Sequence, residues 1–243
     1  MPRYFTRGTS LYALEQEMMR VPHPERTLYS SNLPRRIVRE EGYVRQLFRY
    51  DPESMNCKVC MHCNLRKACR LSECLYLEER VEAGIIDLEA LLHDRFSEIE
   101  NQEFQERLWR VVGNEPVMLF LHQHHQERFT HYLGRYFTHC RWNMAALYLF
   151  TAYFDLWRRV IWKIRRNKFD FVSMNIRGIK PAQYSVYHIG KQIASGDFGI
   201  PAEDLASPEI IPDEAFRLII YALLIAQYGS AILCLDENRG DGT

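Results

Sequence analysis

Five cysteines lie within eighteen residues of this chain, spaced Cys57-x2-Cys60-x2-Cys63-x5-Cys69-x4-Cys74. Thiolates are soft ligands for zinc and iron–sulfur clusters, and two cysteines three positions apart can direct both sulfurs toward one ion. The whole chain has only seven cysteines in 243 residues, so this density favours one shared site over scattered buried cysteines. The sequence therefore predicts a compact cysteine-ligated metal centre.

A closed zinc site needs four of these five ligands. We predict that Cys60, Cys63, Cys69 and Cys74 bind zinc, with Cys57 as the alternate ligand. The alternative is an iron–sulfur cluster, although the Cys-Pro pair that completes a ferredoxin run is absent. Because a four-thiolate site has no open coordination position, it favours a structural or binding role over hydrolysis.

Apolar residues elsewhere recur with the period of an α-helix, so the predicted fold class is mainly α. A helical C-terminal domain is expected to follow a small metal-binding N-terminal region of the zinc-ribbon or zinc-finger kind. Helices are predicted over residues 11–20 and 36–49, before the cysteines. A long amphipathic helix is predicted over residues 142–164, with a bend near Asp155.

Local signals also mark several predicted helix ends. Gly84 is expected to end one helix, and Asp87 to cap the next. Pro181 suits the first turn of a later helix, and Asp213 opens a final apolar helix that ends near Gly229.

These patterns divide the chain into three predicted regions. Residues 1–56 are basic and partly irregular, residues 57–112 form the cysteine module with acidic helices, and residues 113–243 form the helical domain. Residues 1–10 lack the apolar core of a secretory signal. Polar residues interrupt the apolar stretch 216–235, which therefore predicts a buried helix rather than a membrane span. Clustered cysteines without a disulfide pattern favour a reducing, cytoplasmic location.

The formal net charge is zero, but charge is distributed in blocks, and residues 111–180 hold 11 Lys/Arg against 4 Asp/Glu. A basic run in this block lies beside Trp157 and Trp162 and can be interpreted as a phosphate-binding face with stacking rings. The other interpretation places both tryptophans in the core and the cations on the solvated side, and the apolar periodicity favours it. The candidate binding residues are Arg158, Arg159, Lys163, Arg165, Arg166 and Lys168.

A group of histidines in residues 122–139 is a second candidate for chemistry. His122 and His125 would share a helix face, as a metal pair or catalytic residues do. The alternative is the polar surface of an amphipathic helix, which the neighbouring Gln123 and Gln126 favour. The chain has no Gly-rich phosphate loop, nucleophile elbow or HExxH motif, so the sequence predicts no enzyme.

Three segments resemble known families. Residues 74–84 (CLYLEERVEAG) are similar to short cysteine-rich open reading frames of mobile elements in Firmicutes. The motifs at 147–152, 156–157, 169–171, 178–179 and 184–187 resemble an uncharacterised domain family of the same elements. Separately, the Cys-x2-Cys-x5-Cys portion resembles the cluster segment of the WhiB-like iron–sulfur regulators. The mobile-element resemblance implies a phage, a conjugative element or an integrated plasmid as the context, and no activity.

The leading hypothesis from these features is a non-enzymatic binding or regulatory protein of a mobile genetic element. It would engage a protein–nucleic acid machine, for example as an inhibitor of a host defence nuclease such as a CRISPR effector. The expected partners are a protein or nucleoprotein complex and nucleic acid, with neither a membrane nor a small-molecule substrate. The alternatives are an iron–sulfur redox-sensing transcription regulator and a metal-dependent nuclease.

Overall fold

The computed structural model describes residues 70–136, 140–165, 168–196 and 201–237, the backbone of residues 36–40 and 43–47, and Ala13. The chain divides into two units, Met1–Ser54 and Met55–Thr243. Apart from the helical Ala13, the helix predicted over residues 11–20 lies outside the described residues. The predicted zinc-ribbon-like segment also lies outside the described residues, as far as residue 69.

The first unit contains a β-hairpin where the sequence analysis predicted a helix over residues 36–49. Strand β1, Arg36–Glu40, pairs antiparallel with strand β2, Tyr43–Leu47. The helix prediction is wrong here because the β-branched and aromatic residues of both segments favour extended backbone. The two residues between the strands, Glu41 and Gly42, also match the length of a tight hairpin connection.

The described part of the second unit is mainly helical, as predicted, and 71% of all described residues are in helices. Two strands of two residues each, β3 (Ile164–Arg165) and β4 (Lys168–Phe169), form a second small hairpin. The elements in chain order are α1 Leu77–Glu82, α2 Leu88–Phe96, α3 Gln102–Leu108, α4 Gln123–Tyr136, α5 Arg141–Ala152, α6 Phe154–Val160, β3 Ile164–Arg165, β4 Lys168–Phe169, α7 Pro181–Ala194, α8 Ala202–Ala206, α9 Asp213–Tyr228 and α10 Cys234–Glu237. A π-helical turn, Trp109–Gly113, extends α3, and short 3-10 turns flank several helices.

Local chemistry sets several helix ends where the sequence predicted them. The Asp87 carboxylate accepts a hydrogen bond from the Ala90 N–H at 2.9 Å and caps α2. Gly84 follows α1 with a φ of +72°, a conformation that favours glycine. Pro181 begins α7, and Gly229 follows α9 with a φ of +70°. These predictions are confirmed because each depends on only a few neighbouring residues.

The long helix predicted over residues 142–164 is broken at Tyr153, two residues before the position near which the sequence predicted a bend. Tyr153 has extended backbone, with φ −113° and ψ 124°, and separates α5 from α6. Its hydroxyl donates a hydrogen bond to the Glu214 carboxylate of α9 at 2.8 Å. Neither proline nor glycine occurs at this position. The break in the helix therefore coincides with packing across the domain and not with a helix-breaking residue.

Helix α5 lies at the centre of the second unit, where it packs against α9, α7 and α4. Gly190 of α7 allows a close approach, because a Cβ there would lie 2.6 Å from the Phe150 ring of α5. The buried core runs without interruption from Leu77 to Leu235 and crosses residue 112. Helices on both sides of that position therefore share one apolar interior.

Helix α9 is buried on all of its faces, as the sequence predicted. Within the described residues, the stretch Asp213–Leu233 is long and apolar enough to span a membrane by length and composition. However, 72% of its most apolar window is buried inside the protein, as in the core helix of a soluble protein. Its apolar composition is therefore accounted for by packing.

Candidate nucleic-acid interface

The candidate site lies on residues 157–168, here called the basic segment. On α6, Leu156 and Val160 are fully buried and Trp157 is 3% exposed, so one face of the helix is anchored in the core. Arg158 projects from the opposite side, with its guanidinium 5.8 Å from the centre of the Phe154 ring. Helical periodicity thus presents cations to solvent because the apolar positions are fixed inside.

The hairpin of β3 and β4 continues the basic segment beyond α6. Arg165 lies directly opposite Lys168 in the register, and both side chains are exposed. The Asp170 N–H donates to the Lys163 carbonyl at 2.8 Å, which closes the hairpin. The Ser173 hydroxyl, followed by the charges of Arg165 and Lys163, lowers the pKa of Asp170 below its ordinary value. Asp170 is therefore an anion at neutral pH beside this hairpin.

Arg159 has a different role from the other predicted cations. It is half-buried, and its Nη1 donates to the carbonyl oxygens of Asn175 at 3.1 Å and Arg177 at 2.9 Å. These bonds hold the loop after Ser173 against α6. Arg159 therefore stabilises the scaffold of the segment, whereas Arg158, Arg165 and Lys168 remain exposed, and Arg166 lies outside the described residues.

The two tryptophans of the segment have opposite environments. Trp157 is 3% exposed, and its ring centre lies 4.6 Å from that of Tyr132 in α4. Trp162, in the 3-10 turn after α6, is 81% exposed. Periodicity placed both rings in the core, but the change from α-helix to 3-10 turn redirects the second ring to solvent. The structure thus supports the core interpretation for Trp157 and the surface interpretation for Trp162.

The described end of the cysteine cluster is Cys74, which follows the 3-10 turn Leu71–Glu73 and is partly buried against the core. Its Sγ accepts a hydrogen bond from Nη1 of the buried Arg80 at 3.0 Å. Cys57, Cys60, Cys63 and Cys69 lie outside the described residues. Among the residues that are described, no group of three or more potential ligands could hold a metal ion. The zinc site stays a prediction.

The histidine pair has structural roles that the sequence analysis did not identify. His122 Nδ1 accepts a hydrogen bond from the His125 N–H at 3.0 Å and caps the start of α4. His125 is fully buried, and its Nδ1 accepts from the Leu121 N–H at 3.3 Å. Its Nε2 must then carry the proton, which it donates to the Tyr148 carbonyl of α5 at 2.8 Å. Both ring nitrogens of His125 are occupied within the core.

Burial is also the main cause that lowers the pKa of His125 from 6.5 to about 3. The bond to the Tyr148 carbonyl opposes this shift, and the charges of Arg128 and His122 add to it. His125 is therefore neutral at physiological pH and joins α4 to α5. A chain without its buried imidazole would lose the hydrogen-bonded link between two core helices.

Fold and site together define a mainly α-helical protein with an exposed segment of cations and one tryptophan. Comparison of the chain with protein-family models, with curated proteins and with solved structures finds no match.

Proposed function

We propose that this chain is a non-enzymatic, cytoplasmic binding protein of a mobile genetic element that engages nucleic acid or a nucleoprotein machine through the basic segment. The single observation that carries the proposal is the exposure of Trp162 among basic side chains. The mobile-element context is supported by the resemblance of residues 74–84 and of the C-terminal motifs. Binding to the nucleoprotein complex of a host defence nuclease is the proposed biological setting.

An exposed indole beside cations suits single-stranded nucleic acid. Stacking of one base on an aromatic side chain contributes about 1–3 kcal/mol and depends little on base identity. The cations of Arg158, Arg165 and Lys168 would contact phosphates and release counterions, so affinity would decrease with salt. An indole that stands out from the surface can insert between unpaired bases, whereas stacked base pairs expose no free face. We therefore expect single strands to bind better than duplexes.

Trp162→Ala tests this function. We expect the variant to bind a fluorescent 20-nucleotide oligothymidylate about 5- to 150-fold more weakly than the wild type, the equivalent of losing one stacked base. Fluorescence anisotropy at about 50 mM salt gives the affinity, and far-UV circular dichroism checks the fold. Because Trp162 is 81% exposed, its removal should leave the fold intact.

Trp142→Ala is the matched control, since Trp142 is a partly exposed tryptophan at the start of α5, outside the basic segment. It should bind the oligonucleotide as the wild type does. Equal losses in the two variants, or no binding by the wild type at low salt, would contradict the proposal.

Replacing Arg158 with Gln should reduce the dependence of log Kd on log salt by about one.

We further propose that Cys60, Cys63, Cys69 and Cys74 bind one zinc ion, with Cys57 as the alternate ligand. The spacing of the five cysteines supports this, and Cys74 lies at the edge of a core that could anchor the site.

Elemental analysis and an absorbance spectrum of anaerobically purified protein test the metal site. We expect one zinc per chain, no visible absorbance band, and loss of the metal in Cys63→Ser. Cys140→Ser is the control and should retain the metal, because Cys140 lies outside the cluster, at the start of α5. Iron with sulfide would instead favour the redox-sensing regulator, and a metal-free wild type would reject both assignments.

A further inference from the structure

A second exposed aromatic ring lies just before the basic segment. Phe154, the first residue of α6, is 58% exposed. The core positions of this helix are taken by Leu156, Trp157 and Val160, so the Phe154 ring is not needed to anchor α6 in the interior. A single exposed apolar side chain is common on protein surfaces, so the groups around Phe154 determine what it can bind.

Phe154 shares the solvent-facing half of α6 with the two main groups of the proposed interface. Phe154, Arg158 and Trp162 follow one another at intervals of four residues, and all three side chains are exposed. Residues four apart are neighbours on a helix surface. The fully buried Leu156 and Val160 lie on the other side. The guanidinium of Arg158 therefore lies between two exposed rings on one surface.

The separation of the two rings matches a short stretch of a single strand. The chain rises about 1.5 Å per residue in α6 and about 2.0 Å per residue in the 3-10 turn that carries Trp162. These rises separate Phe154 and Trp162 by about 13 Å along the axis. A stacked strand rises about 3.4 Å per nucleotide, so about five nucleotides reach from one ring to the other.

Charge favours a phosphate between the rings and a base at Phe154. The Arg158 guanidinium, 5.8 Å from the Phe154 ring centre, forms no ion pair with any residue that the structure describes, so its N–H donors suit a phosphate. Carboxylates lie near Phe154 itself. Asp155 follows it in the chain, and Glu214 accepts a hydrogen bond from the hydroxyl of the preceding Tyr153. These anions repel a phosphate, whereas an uncharged base can lie on the ring.

We propose that Phe154 is a second base-stacking residue, and that one single strand crosses α6 with bases on Phe154 and Trp162 and a phosphate on Arg158. This inference rests on the proposed function of the basic segment and extends its site toward the start of α6. Two stacked bases of one strand bind as linked ligands, so the affinity exceeds what either ring provides alone. Because any base can stack on phenylalanine, the extension adds affinity without base preference.

Phe154→Leu tests the proposal, because leucine keeps an apolar side chain but has no ring. We expect this variant to bind the fluorescent 20-nucleotide oligothymidylate about fivefold or more weakly than the wild type, by fluorescence anisotropy at about 50 mM salt. Phe154→Tyr keeps a ring and should bind within about twofold of the wild type. Because Phe154 is 58% exposed, both variants should fold, which far-UV circular dichroism checks.

The salt dependence distinguishes stacking on Phe154 from an effect of this ring on the position of Arg158. Removal of an uncharged ring should leave the slope of log Kd against log salt unchanged, whereas loss of the phosphate contact of Arg158 reduces it by about one. In the Arg158→Gln background, Phe154→Leu should still weaken binding about fivefold or more. A reduced slope in Phe154→Leu, or no further loss in the Arg158→Gln background, would overturn the stacking role.

Tyr184→Leu is the matched control, because Tyr184 is 52% exposed and lies on α7, outside the basic segment. It should bind as the wild type does. If Trp162→Ala weakens binding but Phe154→Leu does not, the role of Phe154 is rejected and the proposed function stands. If the wild type does not bind, both are rejected. Equal affinities of Phe154→Leu and Phe154→Tyr would also overturn the inference, since the ring would then contribute nothing.

Discussion

Replacing Arg107 with methionine is expected to lower the free energy of unfolding by about 2–6 kcal/mol. The Arg107 side chain is 3% exposed and connects α3 with the chain around α8 and α9. It donates to the Leu205 carbonyl at 2.7 Å, to the Ile211 carbonyl, and to the Asp213 carboxylate at 2.8 Å. Without the guanidinium, the two buried carbonyls lose their donors, and each costs about 1–3 kcal/mol.

Methionine is the informative substitution because it keeps most of the volume that lies over the Phe216 ring, 4.4 Å from the guanidinium carbon. The loss then reports the hydrogen bonds rather than a cavity. Urea unfolding followed by circular dichroism at pH 7 measures it. Arg107→Lys should also be destabilised, because one ammonium group cannot reproduce the planar set of donors.

Two control substitutions distinguish the buried hydrogen bonds of Arg107 from ordinary ion pairs at the protein surface. Asp213 is 45% exposed, so Asp213→Asn should cost about 1 kcal/mol or less. Arg110, which is 60% exposed and also pairs with Asp213, should behave similarly when replaced by Gln. If Arg107→Met also lost less than about 1 kcal/mol, solvent would have to reach the two carbonyls, and the structural account of this junction would be wrong.

The second large effect is a loss of stability as the pH falls from about 6.5 to about 3, caused by His125. In this window the unfolded chain binds a proton on His125, while the folded chain keeps the ring neutral. Because the unfolded state holds more protons, the free energy of unfolding increases with pH across this window. Acidification therefore removes the contribution of the neutral His125 to stability. Burial is the largest cause, and Arg128 and His122 add to it. The total is on the order of 3–5 kcal/mol.

Paired urea titrations at pH 7 and pH 4.5 check this expectation. Carboxylates also titrate on acidification, so the informative quantity is the difference between the wild type and His125→Gln. The variant should be less stable at pH 7 but should lose less stability at pH 4.5. His124→Gln is the control, because His124 is 79% exposed, and it should keep the wild-type pH dependence. An unchanged pH dependence in His125→Gln would show that the ring can be protonated in the folded state.

The sequence predicted well those features that depend on neighbouring residues. Gly84 ends α1, Asp87 caps α2 and Pro181 begins α7, because each acts within one helical turn. The same applies to the buried character of α9, which follows from its largely apolar composition. The hairpin at residues 36–47 was mispredicted, since short segments with β-branched residues satisfy both helical and strand patterns.

The candidate sites were harder to predict because exposure depends on the whole domain. Trp157 and Trp162 lie in the same basic run, yet only the break in helix geometry after Val160 separates a core ring from a surface ring. Nothing local marks Tyr153 as the end of α5, where the chain turns. Cations directly follow both rings, Arg158 after Trp157 and Lys163 after Trp162, so no local sequence signal separates the two tryptophans.

The helical class of the second unit and several of its helix ends follow from the sequence alone, because they depend on short-range hydrogen bonding and apolar periodicity. The roles of the polar side chains depend on tertiary packing. Arg107 and His125 are far in sequence from the carbonyls that they bind, Ile211 and Tyr148. Such long-range partners are selected by how helices stack around a shared core, which no local pattern encodes.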